Sequence, residues 1–285
     1  MERQKRIAAI HDISCFGKCS LTVALPLLSA AGFETCCIPT AVLSTHTGGF
    51  TGYTYRDLTD DILPIADHWV SQGITFDAIY SGFLGSYEQT EIICRVLDRI
   101  AGENTLIVVD PVMGDDGVLY PVFDENFPTC MRQLCSRAHV IVPNMTEAYL
   151  LLGEPYRKGP YTEAEINRLL DGLLTISGGD VVLTGVCFDD AHLGAATACA
   201  KTGKKEVVLR EKVDGFYHGT GDVYAATLLA ALMEGFSLSE AAGLAADYTV
   251  LSINTTRAMD KDLRYGVNFE QNLPTLIRML KEKTE

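Results

Sequence analysis

Positive charge is scarce in this chain: 23 Lys and Arg stand against 37 Asp and Glu, a net charge of −14. A surface of that sign repels phosphate backbones, which argues against nucleic acid as a partner. Long apolar runs are also missing. No stretch approaches the ~18 apolar residues of a membrane span, so no membrane association is expected. The short "IAAI" behind the basic "MERQKR" is too brief for the apolar region of a secretory leader. That segment reads as a first strand, and the expected location is cytoplasmic. The nine cysteines contain no CxxC pair; the nearest spacings are Cys15/Cys19, Cys36/Cys37 and Cys130/Cys135, with no matching His pair. These spacings do not suit a structural zinc site, and an odd number does not suit a disulfide framework. Linkers, low-complexity tracts and repeats are lacking too. With 47% apolar residues, the 285-residue chain reads as one domain over residues 1–285.

What is present is alternation. Apolar, β-branched runs at 6–12, 35–43, 76–82, 105–110, 138–143 and 180–185 read as buried strands. Helical patterns lie between them, near 19–31, 60–72, 87–101, 124–136, 145–153 and 162–176. Thr162/Glu165 and Ser237/Glu240 have capping-box spacing. The stretch 196–209 reads as an edge hairpin turning at Thr202-Gly203, and the chain from Gly221 onward as three helices. The expected fold is α/β in three layers, a mostly parallel sheet flanked by helices. Ligands in such folds sit at the carboxyl ends of the strands. Those ends carry His11-Asp12, "STHTGG" (44–49), "SGFLGS" (81–86), "DPVMGDDG" (110–117), "PNMTE" (143–147) and Thr184-Gly185.

Two familiar patterns fail. "GKCS" at 17–20 lacks the glycine of a P-loop, which would stand at Asp12, and has Cys19 where Ser or Thr should follow the lysine. "GTGDVY" has Tyr224 where a dinucleotide fingerprint needs Gly or Ala, and it lies late in the chain. The turn Gly219-Thr220-Gly221 can instead present N–H groups at a helix N-terminus, where they bind phosphate. Asp222 follows in the first helical turn. It either complements the helix dipole or accepts the proton of an attacking hydroxyl. Asp110 and Asp115 bracket a strand-end loop, as a turn or as paired acids for a water-coordinated Mg²⁺. Asn144 and Glu147 have capping-box spacing, which does not exclude a metal-water role. Thr184, His46 and Thr47 are strand-end hydroxyl and turn residues at the same edge.

Taken together, "GTGD" (219–222), "DPVMGD" (110–115), "SGFLGS" (81–86), "HTG" (46–48) and "VPNMTE" (142–147) resemble the ribokinase-like superfamily. Within it they resemble the pyridoxal (pyridoxine/pyridoxamine) kinases, over nearly the whole chain. The resemblance implies ATP-dependent phosphorylation of the 5′-hydroxymethyl group of a vitamin B6 vitamer, with Mg²⁺ and often a monovalent cation such as K⁺. It implies Asp222 as catalytic base and the Gly219–Gly221 backbone as anion hole. Asp110, Asp115 and Glu147 would serve metal and phosphates, Asn144 and Thr184 would line the nucleotide site, and Thr47 with His46 would meet the ring substituents. Family members are usually homodimers. Two departures bear on vitamer preference: Asp12-Ile13 stands where many members have Ser-His, and Val118 where some have Cys. The nearest alternative is hydroxymethylpyrimidine kinase. A sugar kinase is disfavoured because no lid-forming strand insertion is expected in the first third.

Overall fold

A computed structural model describes residues 3–259 and 262–282. Its frame is a nine-stranded sheet built from β1 (Arg6–Ser14), β2 (Glu34–Leu43), β3 (Tyr55–Asp57), β4 (Ala78–Ser81), β5 (Leu106–Val109), β8 (Val140–Ile141), β9 (Asp180–Val186), β10 (His192–Ala198) and β11 (Lys205–Glu211). Across the sheet the order is β11-β10-β9-β8-β5-β4-β1-β2-β3. β2, β1, β4, β5, β8 and β9 run parallel, and β3, β10 and β11 add antiparallel edges. The central strands are apolar on both faces because both are covered. On one face Ile10, Ile79, Val109 and Ile141 pack against α2 (Thr59–Ser71), α3 (Tyr87–Ile100), α4 (Phe127–Cys135), α5 (Met145–Leu152) and α6 (Glu163–Ser177). On the other, Ile7, Tyr80, Val108 and Val182 meet α1 (Leu21–Ala30), α7 (Thr220–Met233), α8 (Leu238–Ala258) and α9 (Leu273–Lys281). The α/β three-layer expectation is therefore met. Capping boxes start α5, α6 and α8, as the sequence pattern predicts.

Strand order reverses at β1: β2 lies on one side of it and β4 on the other. The crevice at such a point is where doubly wound sheets take ligands. Three local features depart from expectation. β1 continues past residue 12, because a register shift between His11 and Ile13 lets it go on pairing with β2 to Leu43. His11 and Asp12 thus lie inside the strand and are buried. Second, the first third does contain an added strand: β3, three exposed residues with no apolar signal, pairs with Ala41–Leu43. Third, the loop after β5 holds a small hairpin, β6 (Gly114–Asp115) and β7 (Val118–Leu119). Its two-residue turn is Asp116-Gly117, both at positive φ (45° and 82°), the geometry Asp-Gly favours between short strands. The edge hairpin is longer than expected, with arms of seven residues each. From Thr220 the chain forms the three expected helices, α7, α8 and α9, with two 3₁₀ turns, η1 (Leu263–Tyr265) and η2 (Glu270–Asn272), between the last two.

Candidate active site

Asp222 lies in the first turn of α7, whose N-cap is Gly219. Gly219 has φ 78°, and a Cβ there would stand 2.0 Å from the Lys18 carbonyl oxygen. Only glycine fits that approach. Gly221 differs: nothing lies within 4 Å of where its Cβ would stand. The turn is clamped at Gly219 and open at Gly221, at the N-terminus of a helix, the kind of place where backbone N–H groups bind phosphate. Thr220 is held by a bond from its Oγ1 to the Tyr217 carbonyl, 3.0 Å. Asp222 keeps some contact with solvent, yet enough protein surrounds its carboxyl to push its pKa up to about 7. Desolvation is the main cause; the Ser20 backbone opposes it and the charge of Asp12 adds to it.

Asp12 is 4% exposed and accepts a hydrogen bond from Ser14 Oγ at 3.1 Å. Burial raises its pKa, while the hydroxyls of Ser20 and Ser14 hold it down. Asp110 sits just past β5, buried, its pKa well above the carboxylate range through desolvation and then the charge of Asp222. Glu147 is raised likewise, by burial and then by Asp110. Its two oxygens accept from Met113 N (3.2 Å) and Asn144 N (2.8 Å). Asn144 is equally engaged: Oδ1 accepts from Glu147 N and Nδ2 donates to the Gly114 carbonyl, both at 2.9 Å. This capping box therefore also ties α5 to the β6–β7 hairpin. Asp115, half-buried in that hairpin, has a raised pKa from burial.

Charge links Asp222 to Asp110, Asp110 to Glu147 and Glu147 to Asp115, and burial raises all four, an arrangement that is costly without a cation. Among the described residues no three His, Cys, Asp or Glu side chains cluster closely enough to hold an ion alone. That combination suits Mg²⁺, which takes one or two carboxylates and shares its remaining sites with phosphates and water.

Beside the carboxylates opens a cavity of about 260 Å³ lined by Asp115, Asn144, Thr146, Tyr156, Lys158 and Lys212, among others. Thr184 lies at its edge, donating N–H to the Pro143 carbonyl at 2.9 Å; its neighbour Gly185 is in the wall. His46 lies within reach of the charge of Asp12, and Thr47 next to it is exposed. His46 Nε2 donates to the Arg264 carbonyl at 2.6 Å, and Nδ1 accepts from Gly48 N at 3.1 Å. A carbonyl can only accept and an N–H only donate, so the tautomer is determined and both nitrogens are occupied. His46 can meet a ligand with its ring but not with a nitrogen, which narrows the role expected from sequence. Burial lowers the pKa of His46 and of His218, whose rings lie 4.9 Å apart.

A family model described as phosphomethylpyrimidine kinase matches residues 25–266. The chain belongs to the phosphomethylpyrimidine kinase family. A relative from Bordetella avium, a pyridoxine/pyridoxal/pyridoxamine kinase, is 30% identical over 89% of this chain and 86% of its own length. A phosphomethylpyrimidine kinase structure from Bacteroides thetaiotaomicron, crystallised with pyridoxal, is 36% identical, covers 96% of each chain and superposes with a TM-score of 0.92. The pyridoxal kinase of Lactobacillus plantarum is 31% identical, covers 99% of this chain and 100% of its own, and has a TM-score of 0.90.

Some site residues of this phosphomethylpyrimidine kinase family member carry no sequence signal. Ser20 belongs to the dismissed "GKCS", yet it sits at φ 56°, uncommon for a non-glycine, between Asp12 and Asp222. Tyr120 has its pKa raised by burial and then by Glu147, Asp115, Asp110 and Asp222, so its phenol lies in the carboxylate group. Lys158 and Lys212 belong to no motif, and it is the cavity that groups them.

Proposed function

We propose that this protein phosphorylates the 5′-hydroxymethyl group of pyridoxal, pyridoxine or pyridoxamine at the expense of ATP. The observation that carries the reading is Asp222. Its carboxyl has a pKa near neutrality, at the head of a helix, beside an open glycine turn and within reach of the charge of Asp110. A group poised there can take the proton of an attacking alcohol, and the N–H groups of Gly219–Gly221 can hold the phosphoryl oxygens. ATP would fill the cavity by Asn144 and Thr184. Mg²⁺, when bound, neutralises phosphate charge; Asp110 and Asp115 would hold it, partly through water, with Glu147 bracing the hairpin that carries Asp115. A monovalent cation such as K⁺ belongs to the same reading. The vitamer would lie between Asp12, the ring of His46 and Thr47. Buried Asp12 favours a protonated pyridine nitrogen through a charge-assisted bond.

The relatives named for pyridoxal support this substrate. The family model's own name favours a second reading, hydroxymethylpyrimidine as acceptor. A coupled assay of ADP release with each of the three vitamers and with hydroxymethylpyrimidine separates them. Turnover of the pyrimidine alone would overturn the B6 reading. The proposal includes one domain over residues 1–285, a cytoplasmic location and a two-fold homodimer with a complete site in each subunit. Light scattering at micromolar concentration that finds only the 31.0 kDa chain would remove the dimer.

A further inference from the structure

The segment "RYGVNFE" (264–270) follows the last long helix and contains none of the motifs, yet three site loops are fastened to it. The loop after β1 is held through Lys18: its N–H donates to the Tyr265 carbonyl at 3.2 Å, and its Nζ reaches Asn268 Oδ1 and Glu270 Oε2, both at 2.7 Å. Gly266 makes the approach possible, since a Cβ there would meet Lys18 at 2.9 Å. The loop after β2 is held through His46 Nε2 on the Arg264 carbonyl. The turn before Asp222 is held by Val267 N–H on the His218 carbonyl at 3.2 Å. Lys18 closes the circle, because its own carbonyl is the atom that packs against Gly219.

The segment is itself well anchored. Asn268 N donates to Thr256 Oγ1 at 2.8 Å, Tyr248 OH donates to the Phe269 carbonyl at 2.8 Å, and Val267 and Phe269 are fully buried. Among the described residues, none of its hydrogen bonds reaches a residue lining the nucleotide cavity.

We propose that residues 264–270 are a strap that sets the geometry of the acceptor half of the site, with Lys18 as its positioning residue. Cutting the strap loosens the loops that carry Ser20 and Thr47 and the glycine turn, and leaves the nucleotide half in place. The proposal rests on the kinase reading for its substrate but not for its geometry.

The test uses the full-length enzyme and the variants Lys18→Met, Lys18→Arg and Glu270→Gln, assayed well below their melting temperatures. For Lys18→Met we expect the vitamer KM to rise about tenfold and kcat to fall severalfold, about the loss of a hydrogen bond to a charged group. ADP affinity should stay within about twofold of the parent. Lys18→Arg should restore most of the loss, and surface-exposed Glu270→Gln should show a smaller effect of the same kind. In hydrogen exchange, amides of 46–49 and 217–221 should speed up in Lys18→Met while those of 144–147 do not. A lowered melting temperature with unchanged vitamer KM and kcat would overturn the strap, as would an equal loss of ADP affinity. If the parent phosphorylates no vitamer, the substrate reading fails; the exchange pattern still decides the strap.

Discussion

Replacing Asp222 by Asn keeps the size of the side chain and an oxygen acceptor but removes the ability to carry a proton. Two accounts of this residue predict different losses. If Asp222 serves only the helix dipole, the variant loses about 0.3–1 kcal/mol of stability and little rate. Electrostatics argue against that account. Moving a carboxyl from its usual 3.8 to about 7 disfavours the ion by about 4 kcal/mol, several times what a helix N-terminus returns. A residue retained for the dipole would not be placed where burial outweighs the dipole. As general base, Asp222 should contribute about 10²–10⁴ in turnover. The assay is steady-state ADP release at saturating ATP, with nucleotide affinity measured separately by calorimetry. Turnover should fall by that factor with ADP binding intact. The base must be deprotonated to act, so kcat/KM of the parent should rise with pH through about 7 and then level. An Asn variant that retains more than about a tenth of the turnover would refute the mechanism.

Three further outcomes follow from the same geometry. Asp12→Ser should change the ranking of the three vitamers and raise KM most at low pH, where the pyridine is protonated; unchanged KM values across pH would mean that Asp12 does not meet the ring. Asp222→Asn should grow more stable relative to the parent as pH rises from about 4 to about 7. The folded pKa of Asp222 lies above the unfolded one, so in that window the unfolded chain binds fewer protons and the parent loses stability with rising pH. A melting-temperature difference that stays flat with pH would contradict this. Asn144→Ala removes a helix cap and a bond to the β6–β7 hairpin, and should cost about 1 kcal/mol or somewhat more in urea unfolding. An unchanged midpoint would show that the box carries no stability.

The layer architecture was legible from the chain alone, because buried parallel strands and amphipathic helices have different apolar periods and each wrote its own. Capping boxes were legible for the same reason: residues three apart on one helix decide them locally. Asp222 and Asp115 could be picked out because they stand beside glycines, and Asp110 because it closes an apolar strand, where local sequence and site coincide. What local sequence could not carry was decided by tertiary contact. β3 has no apolar pattern because an exposed edge strand is held by pairing to β2 rather than by burial. Asp12 reads as the last residue of a strand until the register shift in β1 carries the strand past it, leaving it out of water. The pKa of Asp222 depends on protein brought from Ser20 and Asp12, about 200 residues away in the chain. His46 carries a motif, but which nitrogen holds its proton is settled by a carbonyl at Arg264. Periodicity reports what a segment buries; it does not report which distant segment arrives to bury it, and in this protein that arrival sets the charge states and the fastening of the site.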